Sequence, residues 1–159
     1  MPTLPSRPLD TELGLNMGTM RLFKQACLAI ALLMSMLKTA DAEIININNQ
    51  ELTGLLKQGV PIIDIRIDAE WHQTGIIPGS HLLMLFDEKR QVVDPDGWLK
   101  KVKELILVDK PVILICRTGN RTIPATKFLV RSGYSKVYNV TGGIMPWIKA
   151  GLSVTKYIK

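Results

Sequence analysis

Lys110-Pro111-Val112-Ile113-Leu114-Ile115-Cys116-Arg117-Thr118-Gly119-Asn120-Arg121 is the stretch that decides how this chain folds. Four apolar residues, three of them β-branched, follow a proline and end at a cysteine. A short apolar run without polar alternation predicts a strand covered on both faces. Arg121–Arg131 predicts a helix: Pro124 fits its first turn, where the missing N–H costs little, and Gly133 fits its C-terminal stop. Residues 116–121 therefore form a loop that carries the carboxyl end of a buried strand into a helix N-terminus.

Working outward, the same alternation continues. Ile44–Ile47 predicts a strand and Asn49–Lys57 a helix, with Leu52, Leu55 and Leu56 on one face and Gly59 as its stop. Pro61–Ile65 predicts a second strand entered by proline. Ala69–Gln73 is a short helix, and Gly75 with Pro78-Gly79 marks a turn. His81–Leu85 predicts a third strand. Asp94-Pro95-Asp96-Gly97 reads as a turn before a helix over Trp98–Leu107. Val137–Val140 is the last strand and Ile144–Lys149 the last helix. Strands alternating with helices predict an α/β fold built on a parallel sheet with helices on both faces. Ligands of such sheets bind beyond the carboxyl ends of the strands, where the cysteine loop lies.

The loop favours a thiolate. A helix N-terminus offers unpaired N–H groups and a partial positive charge. Successive loop amides form an anion-binding nest, with Gly119 relieving the backbone. Arg117 and Arg121 add fixed charge, and each of these effects favours the charged sulfur. A thiol buried inertly in the core is the alternative, and the position, the arginines and Gly119 weigh against it. Thr118 and Asn120 complete the candidate anion-binding loop.

Composition narrows the class. Apolar residues at 47% provide for a packed core, and charged residues at 21% are too few for a disordered chain. The net charge is +6. The basic residues are scattered and few aromatics lie among them, so no nucleic-acid footprint emerges. His72 and His81 read as structural residues, and without a Cys/His/Asp cluster no metal is expected.

Residues 1–42 read as an N-terminal extension and signal peptide. Arg21 and Lys24 form a short basic start, and Ala26–Leu37 is apolar except for Ser35. Twelve residues are too few for a bilayer span of about 20. Ala40-Asp41-Ala42 is a small-x-small pattern, which predicts cleavage after Ala42 and a periplasmic or secreted domain over residues 43–159. Met17 and Met20 are alternative starts, and contact with a membrane is expected only if the segment is retained. Processing removes Cys27, which leaves Cys116 as the single thiol and no internal disulfide.

Three motifs in order resemble the rhodanese-like domain family. They are Ile63-Asp64-Ile65-Arg66 with Glu70-Trp71 and Gly75–Ser80; Cys116–Arg121; and Gly142-Gly143 with Trp147 and Gly151–Val154. The resemblance covers nearly all of residues 43–159. It implies a single domain with a central five-stranded parallel sheet. It also implies a thiosulfate sulfurtransferase that works by double displacement through a persulfide on Cys116, with cyanide or another thiophilic acceptor. Arg117, Thr118, Gly119, Asn120 and Arg121 would hold the anionic donor, and Asp64 and Arg66 would support the pocket. No metal or organic cofactor is implied. The related phosphatases and arsenate reductases have a C-x5-R loop, whereas Cys116 to Arg121 is C-x4-R, the shorter loop that suits a sulfur atom. Ile76 and Leu82 stand where family members often have His and Asn. Two other readings stay open: a persulfide carrier that delivers sulfur to a protein partner with little turnover on thiosulfate, and an inactive docking module.

Overall fold

The computed structural model describes residues 42–158, together with Met20, Lys24 and Gln25. The signal segment and the extension before it otherwise lie outside the described residues. Five strands, β1 (Glu43–Ile47), β2 (Ile62–Asp64), β3 (His81–Leu82), β4 (Val112–Ile115) and β5 (Lys136–Val140), alternate with five helices. These are α1 (Asn49–Lys57), α2 (Asp68–Thr74), α3 (Pro95–Leu105), α4 (Thr122–Arg131) and α5 (Ile144–Lys149). The strands form one sheet in the order β1-β5-β4-β2-β3, and every pairing is parallel.

β4 is the middle strand, and its residues alternate between two cores. Val112, Leu114 and Cys116 pack with Trp98 and Val102 of α3 and with Ala125 and Leu129 of α4. Ile113 and Ile115 pack with Leu52 of α1 and with Ile144 and Trp147 of α5. Both faces of the strand are therefore dry, which is why its sequence reads as an unbroken apolar run.

Local chemistry sets the helix starts. Asn48 Oδ1 accepts from the Gln50 and Glu51 amides at 2.9 and 3.0 Å, and Glu51 accepts from the Asn48 amide at 2.8 Å. This reciprocal box satisfies donors that α1 cannot pair internally. α3 begins three residues before the expected Trp98. Asp94 accepts from the Gly97 amide at 2.9 Å and Pro95 occupies the first helical position, so Asp94–Gly97 is a cap and first turn rather than a separate turn. β3 is shorter than the expected His81–Leu85, because its partner β2 stops at Asp64. The Leu83 amide takes the last carbonyl, that of Asp64, at 3.1 Å.

The chain leaves β2 toward β3 at one edge and leaves β4 toward β5 on the other side. The loops after β2 and β4 therefore part at the carboxyl ends of two adjacent central strands. This opens the crevice at which an open parallel sheet binds its ligand.

Candidate active site

Cys116 ends β4 and is buried. Its Sγ accepts a hydrogen bond from the Gly119 amide at 3.2 Å. The loop can aim that amide at the sulfur because its carbonyls are held on the opposite side. The Ile144 amide donates to the Cys116 carbonyl at 2.8 Å, and the Met145 amide to the Arg117 carbonyl at 3.3 Å, both from the start of α5. With these carbonyls turned away, the Gly119 amide is left aimed at the sulfur. Thr122 locks the turn into α4 by donating to the Gly119 carbonyl at 2.7 Å.

This arrangement depends on two glycines. Gly119 sits at φ 86°, in the left-handed region that glycine adopts without strain. Gly143, at φ 64° and ψ −148°, lies directly beneath the loop. A Cβ there would strike the carbonyl of Cys116 and come within 2.6 Å of that of Arg117. The Gly142-Gly143 pair thus lets α5 approach closely enough for its amides to reach the loop.

Both arginines pair with side chains of α2. Arg121 donates from one terminal nitrogen to both carboxylate oxygens of Glu70, at 2.6 and 2.7 Å. Arg117 donates to Gln73 at 2.7 Å and lies 4.0 Å from Glu70. Both side chains line a hollow of about 450 Å³ at the loop's mouth, together with Thr118, Asn120, Glu70, Asp87, Glu88 and Arg90. Three carboxylates face three guanidinium groups there, so the mouth is charge-balanced rather than uniformly positive. Glu70, Gln73, Asp87, Glu88 and Arg90 were not among the expected site residues. Glu70 did carry a signal, as the acidic residue three after Ile67, whose amide it accepts at 3.2 Å.

Asp64 and Arg66 lie at and just after the end of β2, and both side chains are fully buried. The Arg66 guanidinium spans Asp64 at 2.6 to 2.9 Å. It also donates to the Gly75 carbonyl at 2.8 Å, to Thr74 Oγ1 at 2.6 Å and to the Glu70 carbonyl at 3.2 Å. Arg66 thereby fixes the C-terminal turn of α2, the helix that presents Glu70 to Arg121. His72 lies away from the sulfur, paired with Asp68 at 3.4 Å and stacked edgewise on Tyr157. Among the described residues no group of three or more His, Cys, Asp or Glu side chains is placed to hold a metal ion.

A parallel α/β domain whose central strand ends in a cysteine cradled by loop amides defines a class of cysteine-loop proteins. Within that class, the rhodanese-like domain profile matches residues 48–150, and this chain belongs to the rhodanese-like domain family. It is 30% identical over 113 residues to rhodanese-like domain-containing protein 17 of Arabidopsis thaliana, covering 69% of this chain and 71% of that one. It is 32% identical over 99 residues to the thiosulfate sulfurtransferase GlpE of Pseudomonas savastanoi pv. phaseolicola, covering 62% and 81%. Among solved structures, a rhodanese-related protein of Thermoplasma volcanium superposes with a TM-score of 0.55 at 27% identity, over 71% of this chain and 99% of that one.

Proposed function

We propose that this chain is a sulfurtransferase that carries sulfane sulfur from thiosulfate, through a persulfide on Cys116, to cyanide or another thiophilic acceptor. The single observation behind this reading is the Gly119 amide on Cys116 Sγ, in a loop whose carbonyls are tied back to α5. That amide is a donor positioned for the sulfur on which a persulfide would form. The relatives named thiosulfate sulfurtransferase support the same activity.

The reaction balances in two displacements. The Cys116 thiolate attacks the outer sulfur of thiosulfate, the S–S bond breaks, and sulfite leaves with the electron pair. An acceptor nucleophile then attacks the outer sulfur of the persulfide, and the Cys116 thiolate leaves. No net oxidant or reductant is needed. Thiocyanate formed from thiosulfate and cyanide by the purified full-length chain tests the reading. A folded chain that forms none refutes the thiosulfate-to-cyanide enzyme. A sulfur that passes only to a protein would then mark a persulfide carrier.

Arg121 works in this scheme by neutralising Glu70, whose side chain is 12% exposed beside the donor anion. Removing Arg121 leaves that carboxylate with only the Ile67 amide and the more distant Arg117 beside the place where thiosulfate would sit. Arg121→Ala is expected to raise the KM for thiosulfate by about tenfold or more, the scale of one lost charge-assisted hydrogen bond. Arg117 is more exposed and bonds only Gln73 closely, so Arg117→Ala is expected to raise KM only a few-fold. Adding Glu70→Gln to Arg121→Ala should restore part of the loss. Equal and negligible changes in both single variants would mean that the backbone amides alone hold the anion.

We also propose that the domain is exported and cleaved after Ala42. The support is the basic start, the apolar run and the small-x-small pattern. N-terminal sequencing of the protein recovered from the periplasm of a Gram-negative host is expected to begin at Glu43. A chain that retains Ala26–Leu37 would refute cleavage.

A further inference from the structure

Residues 152–158, which follow α5, form a strap from that helix to α2. At its start the Leu152 amide donates to the Trp147 carbonyl at 3.2 Å, and Trp147 Nε1 donates to the Ser153 carbonyl at 3.0 Å. Thr155 then pairs with Ile76 in an antiparallel bridge. The Ile76 amide donates to the Thr155 carbonyl at 2.9 Å, and the Thr155 amide to the Ile76 carbonyl at 2.8 Å. Gly75 makes room for this approach, since a Cβ there would come within 2.8 Å of the Thr155 carbonyl. Two residues further on, the strap reaches α2 itself. The Tyr157 hydroxyl donates to Asp68 Oδ1 at 3.1 Å, across 89 positions. Its ring lies edgewise to those of Trp71 and His72, at centroid distances of 5.6 and 4.7 Å. Both anchors of the strap also hold the cysteine loop. α5 ties back the Cys116 and Arg117 carbonyls, and α2 carries the Glu70 carboxylate that pairs with Arg121. Arg66 secures only the C-terminal turn of α2, whereas Asp68 opens the helix two residues before Glu70.

We infer that Tyr157 is a positioning residue for the anionic donor: it fixes the first turn of α2 and so keeps Glu70 on Arg121. The inference rests on the sulfurtransferase reading for its substrate and on the contacts of the strap for its geometry. When the first turn of α2 loosens, Arg121 neutralises Glu70 for less of the time. The uncovered carboxylate then repels an anion at the mouth. The effect passes through Arg121, so it cannot exceed the loss expected for Arg121→Ala. Tyr157 takes no part in the displacement at Cys116, so the effect falls on KM for the donor and not on kcat.

The test uses Tyr157→Phe and Tyr157→Ala in the full-length chain, each alone and combined with Arg121→Ala. Tyr157→Phe loses the hydrogen bond and keeps the ring, and should raise KM for thiosulfate about twofold. Tyr157→Ala loses the ring contacts as well, and should raise it about fivefold. Neither should change kcat, and in the Arg121→Ala background neither should move KM further. A second readout needs no sulfur transfer: the ratio of the rates at which iodoacetate and iodoacetamide alkylate Cys116, followed by peptide mass. The two probes differ in charge and little in size, so the ratio reports the field at the mouth. It should fall by the same factors, and again not in the Arg121→Ala background. An unchanged ratio and KM in both Tyr157 variants would overturn the inference. So would a loss of kcat at constant KM, or an equal fall with and without Arg121. Tyr157→Phe decides on its own if Tyr157→Ala does not fold. If the ratio responds as expected in a chain that forms no thiocyanate, the positioning role stands and the sulfurtransferase reading falls. If thiocyanate forms while ratio and KM stay put, the role falls and the enzyme stands.

Discussion

Cys116→Ala is expected to reduce thiocyanate formation from thiosulfate and cyanide by at least about a thousandfold, the scale on which enzymes lose rate with their nucleophile. In the proposed reaction this sulfur is the atom on which the covalent intermediate forms, and no neighbouring side chain can replace it. The only other cysteine in the chain is Cys27, within the segment expected to be cleaved. The loop itself should survive, since its geometry comes from the α5 amides on the carbonyls and from Thr122 on Gly119. Thermal unfolding should therefore shift only slightly while turnover disappears. Intact mass after exposure to thiosulfate should show one added sulfur on the wild-type chain and none on Cys116→Ala. Turnover that persists in Cys116→Ala would move the chemistry to Cys27 and remove the reason for assigning the loop its role. A wild-type chain that gains the sulfur but does not release it to cyanide would instead identify a carrier.

What the sequence reveals here follows from the range of each interaction. β4 could be read to the residue because its burial on both faces leaves an unbroken apolar run between a proline and a loop. α5 was equally plain, bounded by Gly143 and Gly151. The helix α3 began early because Asp94-Pro95 serves as its cap and first residue, a pair that reads equally as a turn in sequence. β3 shrank because a strand lasts only as long as its partner, and the partner's end is a tertiary fact. The site divides along the same line. Cys116, Gly119 and the helix N-terminus are contiguous in sequence and were legible together. The bond from Arg121 to Glu70 spans 51 positions, and no periodicity signals such a pair. The sequence marks Arg121 as a residue of the anion-binding loop but gives no sign of the carboxylate it pairs with.

That carboxylate is held in turn by a deeper element, and breaking it should produce the largest loss of stability in the domain. Asp64 and Arg66 are both 0% exposed, two residues apart at the end of β2. Taking a guanidinium out of water carries a large desolvation cost, met here by Asp64 and by three further acceptors on α2 and just after it. Asp64→Asn keeps the shape but leaves Arg66 as an uncompensated buried cation. The expected loss is about 3–5 kcal/mol, which corresponds to a fall in Tm of about 10–20 °C for a domain of this size. Arg66→Met should cost a similar amount, since it strands Asp64 and three acceptors. The double variant Asp64→Asn/Arg66→Met removes both charges, and its loss should be smaller than the sum of the single losses by at least about 1 kcal/mol. Thermal denaturation of the four proteins closes the cycle. Additive losses would mean that the two residues act independently and that Arg66 is anchored by backbone carbonyls alone. Coupled losses place the pair at the base of a chain of contacts. It runs from Asp64 through Arg66 to the C-terminal turn of α2, from α2 through Glu70 to Arg121, and from Arg121 to the loop that aims an amide at Cys116. A buried ion pair that adds little net stability over an apolar replacement is then kept because it fixes where that helix, and the charge it presents, must stand.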